Sequence, residues 1–265
     1  MFKIVLLMST ILTLVGCQNN HPNIDDTSPT RDYFAISDFT DQDGWQSFVL
    51  VTINEDDIVT GIRFDGITWT ANGTRSEIAQ LGAYEAHFGY HFYEQANTLE
   101  QHLVGVSRSE LVGRIHEAAA NSLVDFDLSI FANLANLAIH TTSAPRGAYL
   151  DGAYRAFGDI YEDDYQLFTS LFVINGYIVA AHFNGLSSDG TLQFNHLGGE
   201  TVTNYAIGMR EQFEYFEQIL IAVQDPMSIT FDAEGFAIDF PQLHIPVQPL
   251  VALVIEALGA GPVVD

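Results

Sequence analysis

Each half of this chain opens with short apolar runs broken by polar turns and continues with longer stretches whose apolar positions recur every three or four residues. The first half reads Asp32-Tyr33-Phe34-Ala35, then Asp38, Asp43 and Gly44-Trp45-Gln46, then an apolar run from Phe48 to Ile53. A turn at Asn54-Glu55-Asp56-Asp57 leads into Ile58-Val59 and Phe64-Asp65-Gly66. The second half reads Gly152-Ala153-Tyr154-Arg155-Ala156, Asp159, Asp164, Tyr165-Gln166 and a run from Phe168 to Ile174. Asn175-Gly176 then leads to Ile178-Val179 and Phe183-Asn184-Gly185. The offset between the halves stays close to 120 residues, with single-residue slips. Each copy therefore predicts a short strand and then a hairpin with an acidic or Asn-Gly tip. An ordered series of matches of this kind marks an internal repeat.

Each copy then turns helical. Glu77 to Leu103 is rich in helix formers, interrupted by Gly82 and Gly89 and followed by Gly105. Asn97-Thr98-Leu99-Glu100 offers a cap for a separate second segment. Asn204 to Val223 carries Tyr205, Met209, Phe213, Phe216, Leu220 and Val223 on one helical face. Two further apolar helices are expected, Ile130 to Ile139 and Val247 to Leu258, the latter stopped by Gly259. The fold class expected is α+β: two tandem small domains, each an antiparallel hairpin-based sheet with packed helices.

The N-terminus follows a different pattern. Lys3 precedes an apolar run from Ile4 to Val15, and the chain becomes polar at Gln18-Asn19-Asn20. The run is shorter than the roughly 20 residues of a spanning helix, so it reads as a signal-peptide core. Leu14-Val15-Gly16-Cys17 resembles the lipobox of bacterial lipoproteins. The resemblance implies cleavage after residue 16 and a diacylglycerol on Cys17, the sole cysteine. Residues 17–31 then form the lipidated Cys and a flexible tether. The remaining boundaries are repeat 1 at 32–140, a linker at 141–150 and repeat 2 at 151–265. The membrane, reached through the lipid, and envelope proteins are the expected partners, in an extracytoplasmic location.

Charge sharpens this picture. Without Lys3 the chain keeps eight arginines against 34 acids, 8 − 34 = −26. Such a surface repels nucleic acid, whose binding needs Lys and Arg against phosphate. It gains nothing from an anionic lipid surface, so attachment falls to the lipid. One cysteine excludes an intrachain disulfide and a cysteine-based metal site.

The motifs Asp151-Gly152-Ala153-Tyr154-Arg155-Ala156 and Gly44-Trp45, each leading to a hairpin, resemble those of the extracytoplasmic FMN-binding domain. Gln224-Asp225-Pro226 before Phe231-Asp232-Ala233 sits where that family approaches its flavin-attachment motif. The likeness runs over nearly all of residues 32–258. It implies tandem modules of the kind found in flavinylated electron-transfer lipoproteins. The family motif is Asp-x-x-(Ser/Thr)-Gly-Ala-Thr, whose last Thr takes FMN in a phosphoester. Here the stretch reads Asp232-Ala233-Glu234-Gly235-Phe236-Ala237-Ile238, and Thr230 lies out of register. The first copy, Ser122 to Ser129, keeps no Gly-Ala-Thr. A phosphoester needs a hydroxyl, so covalent FMN is not expected. A noncovalent flavin would draw on Trp45, Tyr154, Tyr165, Asp232, Gly235 and Ala237. The same aromatics serve equally as core anchors of a hairpin. The expectation is a binding or accessory lipoprotein, with a noncovalent flavin electron carrier as the alternative.

Other chemistry is sparse. His87, His91 and Glu94 would share one helical face, a geometry open to zinc or iron, though Gly89 intervenes. Asp38, Asp41 and Asp43 are calcium-type ligands, but the EF-hand register would put Phe39 first and Leu50 twelfth. His116-Glu117 is expected to begin a helix but lacks the second His of a metalloprotease motif. No Gly-x-Ser-x-Gly elbow is present. Ser187-Ser188, His182 and Asp189 lie close together in sequence, where a turn after a hairpin accounts for them.

Overall fold

β1 (Thr30–Ile36), β2 (Gln46–Asn54) and β3 (Val59–Ile67) form an antiparallel meander in the computed structural model of the chain. The structure describes residues 29–41, 43–81, 92–143, 146–160, 165–193 and 204–263. Residues 1–28, among them the signal-like stretch, Cys17 and most of the tether, lie outside the described residues, as do His87 and His91. The chain separates into two compact units, divided between Ala148 and Tyr149.

In the first unit β2 is apolar on both faces, which explains its unbroken apolar run. Val49, Val51 and Ile53 join the helix-covered core, and Phe48 and Leu50 alternate to the other side. There the Phe34 and Phe48 rings stand 5.8 Å apart, and the Arg63 guanidinium lies 5.4 Å from the Phe48 ring. Among the described residues four helices follow: α1 (Arg75–Gln80), α2 (Phe92–Leu103), α3 (Leu111–Ala120) and α4 (Ser129–His140). α1 begins with a capping box, in which Thr74 accepts from the Glu77 N–H and Glu77 accepts from the Thr74 N–H. α2 packs on β3, and α4 packs on β1 and β2. Phe64 and Phe131 meet edge-on across this core, 5.3 Å between ring centres.

The second unit repeats the meander with β4 (Gly152–Ile160), β5 (Tyr165–Ile174) and β6 (Tyr177–Ser187). α5 (Asn204–Val223) packs on β6, and α6 (Gln248–Ala260) packs on β4 and β5. A 3-10 turn at Pro226–Ser228 lies between the two helices in sequence. Phe183 on β6 sits against Phe216 on α5 at 5.3 Å, the counterpart of Phe64 in the first unit. Both units are thus three-stranded antiparallel sheets with helices packed on one face, an α+β fold. Among the described residues no helix is long and apolar enough to cross a membrane.

Three local expectations are corrected. Asn97-Thr98-Leu99-Glu100 does not start a new segment, because α2 runs unbroken through it. Phe92, Ala96, Leu99 and Leu103 form one continuous buried stripe, and the Thr98 hydroxyl bonds back to the Glu94 carbonyl instead of capping. His116-Glu117 lies inside α3 rather than at its start. Gly259 does not stop the last helix; α6 continues to Ala260, and Gly261 ends it at φ 88°.

Candidate functional site

The two units share a buried carboxyl at the sheet edge. β3 and β6 are edge strands, and an edge strand carries backbone N–H groups with no strand partner. In the first unit the Phe64 N–H donates to Glu100 Oε1 of α2 at 2.9 Å. In the second the Phe183 N–H donates to Glu217 Oε1 of α5, also at 2.9 Å. The residue after each Phe folds its own side chain back, so that Asp65 and Asn184 accept from the Gly66 and Gly185 N–H groups. A second pair of contacts fastens the same helices. Gln95 accepts from the Asp125 N–H at 2.6 Å, and Gln212 accepts from the His244 N–H at 2.6 Å.

Around this common frame the charges differ. Asp65 is fully buried and takes Arg63 at 2.6 Å, with the Ser76 N–H on its other oxygen. Arg63 also donates to Thr74. Burial pushes the Glu100 carboxyl up to about 8, assisted by Asp65 and opposed by the Phe64 N–H and Arg63. In the second unit Arg210 of α5 reaches Glu214 at 2.9 Å, Glu217 at 3.3 Å and the Phe183 carbonyl at 3.3 Å. Burial pushes Glu217 up to about 7, against the pull of Arg210 and the Phe183 N–H. His182 Nδ1 stands 3.5 Å from Glu217 Oε1. Burial, and then Arg210, hold His182 down to about 3, so its imidazole is neutral beside that carboxyl. What this arrangement can do is take up and release a proton at a backbone contact between helix and strand.

The strand end is closed differently in each unit. The Val59 N–H donates to the Val106 carbonyl at 2.9 Å, and the Val59 carbonyl accepts from the Gly105 N–H at 2.8 Å. At the matching Ile178 a side chain replaces that backbone. Gln224 Oε1 accepts from the Ile178 N–H at 2.8 Å, and its Nε2 donates to the Ile178 carbonyl at 2.9 Å. Gln224 does this from a left-handed backbone at φ 66°.

The residues singled out in the sequence fall elsewhere. Trp45 is buried in the first unit's core, 6% exposed. Tyr154 is buried among the second unit's apolar residues, and its hydroxyl donates to the Leu150 carbonyl at 2.5 Å. Tyr154 pairs with Leu171, whereas Tyr165 pairs with Ser187 at the far end of β5. Six residues of strand separate Leu171 from Tyr165, about 20 Å, so the two tyrosines do not flank one ring. Asp232 to Ala237 closes on itself. Asp232 Oδ1 accepts from the Glu234 and Phe236 N–H groups, and an isolated bridge joins Phe231 to Ala237. The Gly235 carbonyl accepts from the Val247 and Gln248 N–H groups at the start of α6.

Asp41 acts as a turn cap. Its Oδ1 accepts from the Asp43 and Trp45 N–H groups, and its Oδ2 lies 3.4 Å from Arg75. Asp38 and Asp43 are exposed. Glu94 sits on an exposed position of α2, while its suggested partners His87 and His91 are outside the described residues. Among the described residues no group of His, Cys, Asp and Glu could hold a metal ion. Ser187 donates to Asp189, and the Thr191 N–H donates to both, which closes the turn after β6. Hydrogen bonds from Ser187 and Thr191 hold Asp189 down to about 2. His182 is five strand residues from Ser187 and faces Glu217 and Arg210 instead.

Glu100 and Glu217 were not among the residues picked from the sequence, yet a signal exists. Glu94-Gln95…Leu99-Glu100-Gln101 and Glu211-Gln212…Phe216-Glu217-Gln218 align at an offset of 117, identical except for Leu99 against Phe216. Continuing the repeat from the strands into the helices would have exposed it.

The class that fold and site define is a two-unit α+β protein built on a repeated meander-and-helix module. No known family's sequence profile matches the chain, and no curated protein is similar to it. A solution NMR structure of a Clostridium thermocellum protein, from a structural genomics consortium, shares 25% identity over 43% of this chain and 94% of that one, with a TM-score of 0.35.

Proposed function

We propose that the chain is a lipid-anchored extracytoplasmic lipoprotein whose two degenerate FMN-binding-like repeats serve a binding or accessory role. The observation that carries this reading is the closed Asp232–Ala237 turn. A flavin phosphate would need free backbone donors or a cation there. The Glu234, Phe236, Val247 and Gln248 N–H groups are already engaged within the chain. Thr230, the nearest hydroxyl upstream, donates to Asp239 at 2.6 Å. These residues do not fit a covalently attached FMN.

The test is spectroscopic. The chain from Gln18 onward is purified, and its absorbance, intact mass and response to added FMN are recorded. The expected result is a colourless protein with the mass of the bare polypeptide that leaves FMN fluorescence unquenched. A yellow preparation of unmodified mass would overturn the accessory role in favour of a noncovalent flavin carrier. The anchor has its own test: the full chain takes up labelled palmitate in a lipoprotein-processing host, and Cys17→Ser does not. Equal labelling of both would remove the anchor from the proposal.

A further inference from the structure

We propose that Glu100 and Glu217 are a matched pair of proton-operated latches, each fastening its helix to the edge strand in acid and loosening it in alkali. The inference stands on geometry first. A glutamate at matching places of the repeat takes the matching strand N–H at the same 2.9 Å in both units. A latch in this place governs whether the helix covers the strand edge, because that N–H otherwise has no protein partner.

The surrounding charges decide the direction. β3 presents Arg63 and Asp65 to Glu100, and Asp65 is already matched to Arg63 at 2.6 Å. α1 brings Glu77, whose charge is felt at Arg63. On α3, Arg114 and Glu117 turn to each other at 2.9 Å on the surface. Ionising Glu100 thus adds a second buried negative charge beside one arginine. In the second unit, Arg210 is divided between Glu214 and Glu217 on its own helix. β6 presents the Phe183 N–H and the neutral His182, which supplies no counter-charge. Asp225, before the 3-10 turn, caps that turn through the Met227 N–H.

In its protonated form each carboxyl keeps the N–H bond through its carbonyl oxygen without a buried charge. Once ionised it must draw water to the helix–strand seam or move toward it. Burial lifts both carboxyls above the ordinary glutamate value of 4.5, Glu217 to about 7 and Glu100 to about 8, so both latches open in the same alkaline direction.

Nuclear magnetic resonance of the ¹⁵N-labelled full chain tests this directly. The Phe64 and Phe183 amide protons are followed from about pH 5 to about pH 9, together with their exchange protection corrected for intrinsic rate. Both amides should shift with midpoints well above the ordinary glutamate value of 4.5. Their protection should fall about tenfold or more over the same range. Glu100→Gln and Glu217→Gln keep an acceptor and should abolish both changes in their own unit. Flat amides, a midpoint near 4.5, or unchanged protection would each overturn the proposal. So would a response that survives in the Gln variants. Should a variant fail to fold, the wild-type titration and protection decide alone.

Discussion

Replacing Gln224 with Ala should unfold the second unit early and leave the first unit's own stability untouched. The side chain satisfies both backbone groups of Ile178, which is 1% exposed, and its Nε2 also reaches the Ile221 carbonyl at 2.5 Å. Each buried backbone group left without a partner costs about 1–3 kcal/mol. Two such groups sum to roughly 2–4 kcal/mol, once some access of water to the vacated space is allowed for. Ala brings no relief at φ 66°, where any side chain is strained. Gly does, by about 1 kcal/mol, so Gln224→Gly should be the milder change. With a urea slope of about 1–2 kcal/mol per molar for a unit of this size, the midpoint should drop by about 1–4 M. Trp45 and Trp69, the two tryptophans of the chain, both lie in the first unit. Tryptophan fluorescence therefore follows that unit alone, and far-ultraviolet circular dichroism follows both. The expected result is an earlier dichroism transition in Gln224→Ala. A midpoint shift under about 0.3 M, or a Gly variant weaker than the Ala variant, would refute the reasoning.

Three more outcomes follow from the same geometry. Glu217 has a folded value raised to about 7 from 4.5; its contribution is full below pH 4.5 and is lost as pH rises through 7, so Glu217→Gln should flatten the fall in urea midpoint between those limits, by up to about 3 kcal/mol. Gly152→Ala should destabilise the second unit by about 1–3 kcal/mol in thermal unfolding, because φ is 144° and an added Cβ would stand 2.7 Å from the Pro262 Cβ. Trp45→Ala should cost the first unit about 3–5 kcal/mol, as for other large core truncations, with Trp69 kept as the fluorescent probe.

Much of the frame could be read from the chain because its signals are local. The Asn175-Gly176 tip takes φ 58° and 75°, the pair of positive angles that an Asn-Gly hairpin turn requires. α5 spans the same residues, Asn204 to Val223, that its apolar spacing marks. Its counterpart in the first unit, α2, departs from the expectation at Asn97, because a polar Asn-Thr pair resembles a cap, whereas tertiary burial of Leu99 and Leu103 carries the helix through it. Gly152 in the Asp-Gly-x-Tyr motif has a reason invisible in sequence, since Pro262 lies against it from the other end of the unit. The latches were hidden for a different cause. In so acidic a chain a helical Glu reads as a solvated face, and only the edge strand laid beside it turns Glu100 and Glu217 inward.

The differences between the units are as informative as the likeness. Three matched positions carry different groups: Arg63 and His182, Asp65 and Asn184, and the Gly105–Val106 backbone and the Gln224 side chain. What stays fixed is the glutamate that meets the Phe64 or Phe183 N–H and the glutamine that ties the helix to the loop before the last helix. Leaving such a group unmet carries a cost that no surface charge offsets. The charges beside it are under no such constraint. Exchanging the Arg63–Asp65 pair for a neutral His182–Asn184 pair removes a buried anion next to the carboxyl, and Arg210 supplies the cation from the helix instead. Burial raises both carboxyls, with Asp65 adding to the rise at Glu100 and Glu214 adding to it at Glu217. One backbone frame, used twice, thus holds a raised carboxyl in two different charge settings, and the units are not interchangeable copies.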